Sequence, residues 1–65
     1  MKWVIRQAET EDVLEGFSKT DGRPRWNPDD RKAKWFSTWG EVSVAVDIVR
    51  KCGDDCYPEV LDKRR

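Results

Sequence analysis

The sequence predicts a small α+β fold, an antiparallel β-hairpin or three-stranded sheet packed against one α-helix, in the order ββα or ββαβ. Three observations carry that expectation. Residues 2–7, "KWVIRQ", and residues 13–18, "VLEGFS", alternate apolar and polar side chains at period two, as half-buried strands do. Residues 38–53 instead place apolar side chains at helical spacing between a capping box and a glycine stop. The chain has 65 residues, which suits a single domain over 1–65 with little core to spare. Four Trp, two Phe and one Tyr must supply much of that core, since each aromatic side chain buries on the order of 150 to 250 Å².

In the first strand Trp3 and Ile5 alternate against Lys2, Val4 and Arg6, which assigns Val4 to a mostly polar face. "AETED" then breaks the pattern. In the second strand Val13 and Phe17 fall on one face and Leu14 on the other, and Gly16 marks a bulge or a close packing neighbour. Asp21-Gly22 is a strong turn dipeptide, and Pro24 disfavours central strand pairing beyond it.

Residues 25–36, "RWNPDDRKAKWF", crowd aromatic, basic and acidic side chains together. Asn27-Pro28-Asp29-Asp30 initiates a turn, because Asn before Pro is pushed out of the helical region and the Asp side chains can accept from nearby amides. Ala33 and Phe36 are spaced by three with Arg31, Lys32 and Lys34 interspersed. That spacing fits a single helical turn, or an irregular turn leading into a short strand through Trp35 and Phe36. On this reading Trp26, Ala33 and Phe36 close the core, while Trp35 and the basic side chains stay outside.

Thr38 with Glu41 three residues later makes a capping box, and Ser37 is an equally good N-cap. Val42, Ala45, Val46 and Val49 then form one apolar stripe, and Gly53 follows Arg50 and Lys51 as a C-terminal stop. "VSVAVDIV" also alternates at period two with β-branched residues, a rival strand reading. The caps and a length of about 13 residues favour the helix. Val44, Ile48 and Cys52 make a second stripe roughly a third of a turn away, which one sheet face cannot cover. Residues 54–65 are expected to form a C-terminal strand or a flexible basic tail. Two explanations that do not exclude each other follow: that tail folds back over the second stripe through Tyr57, Val60 and Leu61, and the stripe is an interface with another copy or another protein.

Thirteen basic and thirteen acidic side chains cancel, which argues against a strongly basic duplex-binding face and against an acidic DNA mimic. The charges are unevenly spread: residues 23–36 hold five basic and two acidic, residues 37–62 two and six. Histidine is absent, which removes the commonest general base and metal ligand. No phosphate loop or nucleophile elbow occurs, so the expectation is a protein that is not an enzyme and uses no cofactor and no metal. Cys52 and Cys56 could pair, bind metal with further ligands, or stay as plain buried or half-buried thiols; the last is expected in a reducing compartment.

The stretch also offers a nucleic-acid reading. Trp26 and Trp35 are interleaved with Arg23, Arg25, Arg31, Lys32 and Lys34, and aromatic faces stack bases while basic groups track phosphate. Asp29 and Asp30 lie in the middle of that patch and count against it.

The run "RWNPDDRKAKWFSTWGEVSVAVDIV", preceded by two short strands, resembles a pattern in small phage-encoded accessory proteins. Its parts are an aromatic residue, a turn with Asp, a basic-flanked Ala, a Phe, a Ser/Thr cap and a helix. The likeness spans residues 2 to 52, and the sequence departs from it at Gly40-Glu41-Val42, where an acidic residue followed by Ala is usual. The resemblance implies a ββα or ββαβ core and a protein that inhibits or modulates a host protein, such as a bacterial defence component, by occluding a surface or holding an oligomer. Trp35, Val44, Ile48, Arg31 and Lys34 are the candidate interface with a host protein or protein complex, with a homodimer through Val44 and Ile48 as a further expectation. No signal-peptide pattern opens the sequence and no apolar run of about 18 residues crosses it. The expected location is therefore the cytoplasm of the bacterial host, without a membrane.

Overall fold

The computed structural model describes residues 2–60. They form a four-stranded antiparallel sheet with a helix on one face. The elements in chain order are β1 (Trp3–Gln7), β2 (Val13–Phe17), β3 (Pro24–Asn27), a 3-10 turn (Asp30–Lys32), α1 (Trp39–Lys51) and β4 (Cys56–Val60). In space the strands lie β3-β2-β1-β4. The fold is α+β, as the sequence predicts, with β3 as an additional edge strand. β4 is the strand expected within 54–65, whereas Leu61 and the basic residues 63–65 lie outside the described residues.

The helix prevails over the rival strand because both of its ends are capped and its core stripe finds a sheet to cover. Thr38 Oγ1 accepts from the Glu41 N–H at 3.2 Å, and Glu41 Oε1 accepts from the Ser37 N–H at 3.2 Å. At the other end Gly53 adopts φ +99°, a left-handed conformation that favours glycine after a helix. Val42, Ala45, Val46 and Val49 are buried, and they pack with Ile5, Leu14 and Cys56. Trp3, Phe17, Trp26 and Phe36 close the edges of this core. Ala33, expected among them, is only half-buried and lies outside the cluster.

Two facing assignments need correction, and one bulge accounts for the first. β2 shifts register against β3 between Leu14 and Gly16. An extra residue on one strand reverses the facing of the residues beyond it, so Leu14 and Phe17 share the helix side although they are three apart. Val13 is then left on the other face beside Arg6, its partner in β1. The second correction concerns Val4, which is fully buried although alternation assigns it to a mostly polar face. That face is covered: the 3-10 turn packs on β2 and is gripped from β1 by Arg6.

The Arg6 guanidinium donates to both carboxylate oxygens of Asp30, at 3.2 and 3.0 Å, and to the Glu11 carbonyl at 2.8 Å. It also donates to Glu59 of β4. One side chain thus ties the 3-10 turn, the β1–β2 loop and the edge strand together. Asp30, first, and Glu59 push the guanidinium well above its ordinary range, so Arg6 is a fixed cation.

The open end of the β1–β2 hairpin holds residues 34–36 as a wedge. The Lys34 N–H donates to the Leu14 carbonyl at 2.8 Å, and Phe36 exchanges two backbone bonds with Trp3, at 2.8 and 2.9 Å. These groups would otherwise pair across the hairpin. The stretch from Arg25 to Phe36 therefore closes the protein, wrapping one face with its turn and filling the hairpin with its end.

Candidate functional site

Backbone pairing of the wedge decides which side chains it buries and which it presents. Phe36 is half-buried against the core, while Trp35 is 54% exposed with the Lys2 ammonium 4.6 Å from its ring centroid. Between the wedge and the first turns of α1 runs an open groove of about 570 Å³, lined by Lys34, Trp35, Phe36, Gly40, Glu41 and Val44. Lys34 reaches over the Phe36 ring at 5.7 Å, so the groove has a cationic wall and an acidic one at Glu41.

Above the groove the outer face of α1 carries Val44, 61% exposed, and Ile48, 46% exposed, one turn apart. The C-terminal strand does not cover them, contrary to one of the two expectations. β4 pairs with β1 from Trp3↔Val60 to Gln7↔Cys56, beside the helix and not over its outer face. Tyr57 opposes Arg6 on the face away from α1. Val60 lies on the helix side of the sheet, and it too remains exposed.

Of the expected interface set, Trp35, Lys34 and Val44 meet at the groove and Ile48 continues its helical wall. Arg31 stands apart in the 3-10 turn. Its side chain donates to Asp29 at 3.2 and 3.3 Å and its N–H donates there at 3.0 Å. Those bonds hold the Asp29 carboxyl below the usual carboxylate range and raise the Arg31 guanidinium. Its charge is already matched within the turn.

The nucleic-acid set is drawn from several elements of the fold, and one of its two aromatic residues is used in packing. Trp26 is half-buried against the core, and its indole N–H donates to Asp54 Oδ2 at 3.0 Å, so its face serves packing. Arg23 precedes β3, Arg25 lies in it, and Lys32 lies in the 3-10 turn. Trp35 keeps an exposed ring, but a cation already occupies one of its approaches.

Neither sheet edge invites another strand. In β4 the ladder continues as Ala8 N–H to the Asp55 carbonyl, a parity that turns the backbone groups of Cys56 and Pro58 outward. Arg50 donates to the Cys56 carbonyl at 2.9 Å, and Pro58 has no N–H. On the far side β3 is four residues long, begins with Pro24 and exposes Arg25. Short, charged and proline-bearing edges resist strand addition.

The thiols lie close in sequence but in different settings. Cys56 is buried, with desolvation pushing its thiol up, and Cys52 is half-buried at the end of α1. A neutral buried thiol is a poor nucleophile. Among the described residues no three His, Cys, Asp or Glu side chains converge as metal ligands, and no helix is long and apolar enough to cross a membrane.

Sequence reasoning missed the Arg6 cluster and the part of Gly40 and Glu41 in the groove. Arg6 carried a signal, being a cation between Val4 and Val13 on one sheet face, though two of its three acceptors come from distant segments. Comparison adds nothing to these observations: no family model, no curated protein and no solved structure matches the chain.

Proposed function

We propose that this chain is a non-enzymatic accessory protein that binds a host protein or protein complex in the bacterial cytoplasm and inhibits or modulates it. The observation that carries the reading is the apolar surface from Trp35 through the groove to Val44 and Ile48, left bare by a protein with few apolar residues to spare. A small domain gains about 25 cal/mol for each Å² of apolar surface it buries, so leaving three large apolar side chains in water has a cost that binding would recover. With both sheet edges closed to strand addition, docking here would go through side chains, as this surface offers. Lys34 on one wall and Glu41 on the other supply charges that orient a partner.

The test is capture from a bacterial lysate on the tagged chain, with and without nuclease, beside the Trp35→Ala variant. The expected result is a stoichiometric protein that survives nuclease and is lost with Trp35→Ala. Retention only while nucleic acid is intact would overturn the reading in favour of a single-stranded nucleic-acid module built on Trp35 and the basic side chains. That alternative requires binding that weakens steeply with salt.

A further inference from the structure

We infer that the outer ridge of α1 is covered by a second copy of the chain, with the two helices antiparallel about a twofold axis between Val44 and Ile48. This rests on the reading that the ridge docks protein, and it names the occupant of its helical part. The ridge is complementary in charge to itself.

Glu41, Val44, Ile48 and Lys51 are spaced three, four and three residues apart, and at 3.6 residues per turn they share an arc of about 80°. That is the seam of a short coiled coil, with two apolar positions in the middle and opposite charges at the ends. All four side chains are exposed. Turned antiparallel, Val44 of each copy meets Ile48 of the other, and Glu41 of each meets Lys51 of the other. A parallel copy would instead set Glu41 against Glu41 and Lys51 against Lys51. The antiparallel pair also opposes the two helix dipoles.

Neighbouring groups agree with this register. Glu41 gives Oε1 to the Ser37 N–H, which leaves Oε2 for a lysine. Lys51 lies 3.4 Å from Asp47, so the Asp47 carboxylates, which flank the axis, keep a counter-charge as the helices approach. Gly40 adds no side chain to the end of the seam, and the nearest atom to a Cβ built there is Thr38 Oγ1 at 3.9 Å. Both sheet edges are closed to strand addition, which leaves side-chain surfaces such as this ridge for self-association.

The test is sedimentation equilibrium of the full chain from about 10 μM to about 1 mM, a range suited to a seam of two apolar layers. The expected result is a mass that rises toward twice that of the chain. Lys51→Glu alone and Glu41→Lys alone should each weaken association about tenfold, because each sets like charges together at both ends. Their equimolar mixture should restore it, since both charge pairs are then opposite. Glu41→Lys also removes a cap acceptor, so Glu41→Gln, which keeps the acceptor without the charge, is measured beside it with circular dichroism as the fold check. It should weaken association by a smaller factor. A wild-type chain that stays monomeric throughout overturns the inference, and so does a mixture that associates no better than its components. A monomer that still retains a lysate protein through Trp35 would discard the second copy and leave the docking reading standing.

Discussion

The two faces of the sheet are sealed by different physics. On the helix side, Ile5, Leu14 and Cys56 meet Val42, Ala45, Val46 and Val49, and apolar burial does the work. On the other side Val4 and Val13 are equally inaccessible, and on this face a turn that carries Asp29, Asp30, Arg31 and Lys32 packs on β2 and is held by Arg6. A chain this short can thus shield a second apolar layer by clamping a polar segment over it, without a second helix.

Substitution on the helix side should do the most damage. Ile5→Ala removes a fully buried side chain from the centre of that core and is expected to lower unfolding stability by about 2 to 5 kcal/mol. A domain of this size has about 3 to 5 kcal/mol in all, so urea titration should find the variant largely unfolded. Arg6→Met attacks the other face. It leaves Asp30 and Glu59 without their cation, but both carboxylates are roughly half exposed, so water replaces part of what is lost. The expected loss is about 1 to 2 kcal/mol, accompanied by a rise in amide exchange over the wild type across residues 29–34 that exceeds the rise in α1. An equal rise in both segments would show that the turn is not held by this clamp.

A smaller effect comes from pH. Burial raises the Cys56 thiol above its ordinary value of 9.0. The unfolded chain therefore loses this proton before the folded one, and the neutral thiol's contribution is complete below pH 9 and declines as pH rises toward the folded value. Thermal unfolding of the wild type should fall more steeply above pH 9 than that of Cys56→Ala. Equal slopes would mean that the thiol ionises as readily in the fold as out of it.

The helix side was legible in the sequence because burial there follows period: the stripe from Val42 to Val49, the Thr38 and Glu41 box and the Gly53 stop stand at the predicted positions. The strand facings were less so. A one-residue bulge between Leu14 and Gly16 reverses the facing of everything beyond it, and alternation alone cannot say whether such a bulge is used. The polar roof was illegible for another reason, since Arg6, Asp30 and Glu59 are joined only by the fold. Of the candidate surface, Val44 and Ile48 could be read as surplus apolar residues, and Trp35 as the aromatic left outside. Their groove depends on residues 34–36 entering the hairpin, which no local pattern announces.

Both the fold and the proposed docking surface depend on the division of α1 into a stripe that makes the core and a ridge that does not. Urea unfolding of Val44→Asp beside Val46→Asp, at concentrations low enough to keep the chain monomeric, measures that division. The two positions are two residues apart with the same chemical change, so helix propensity cancels. Val46→Asp should lose at least about 3 kcal/mol by placing a carboxylate in the core. Val44→Asp should stay within about 0.5 kcal/mol of the wild type. Comparable losses in both variants would contradict the division, because the ridge would then be part of the monomer's own packing.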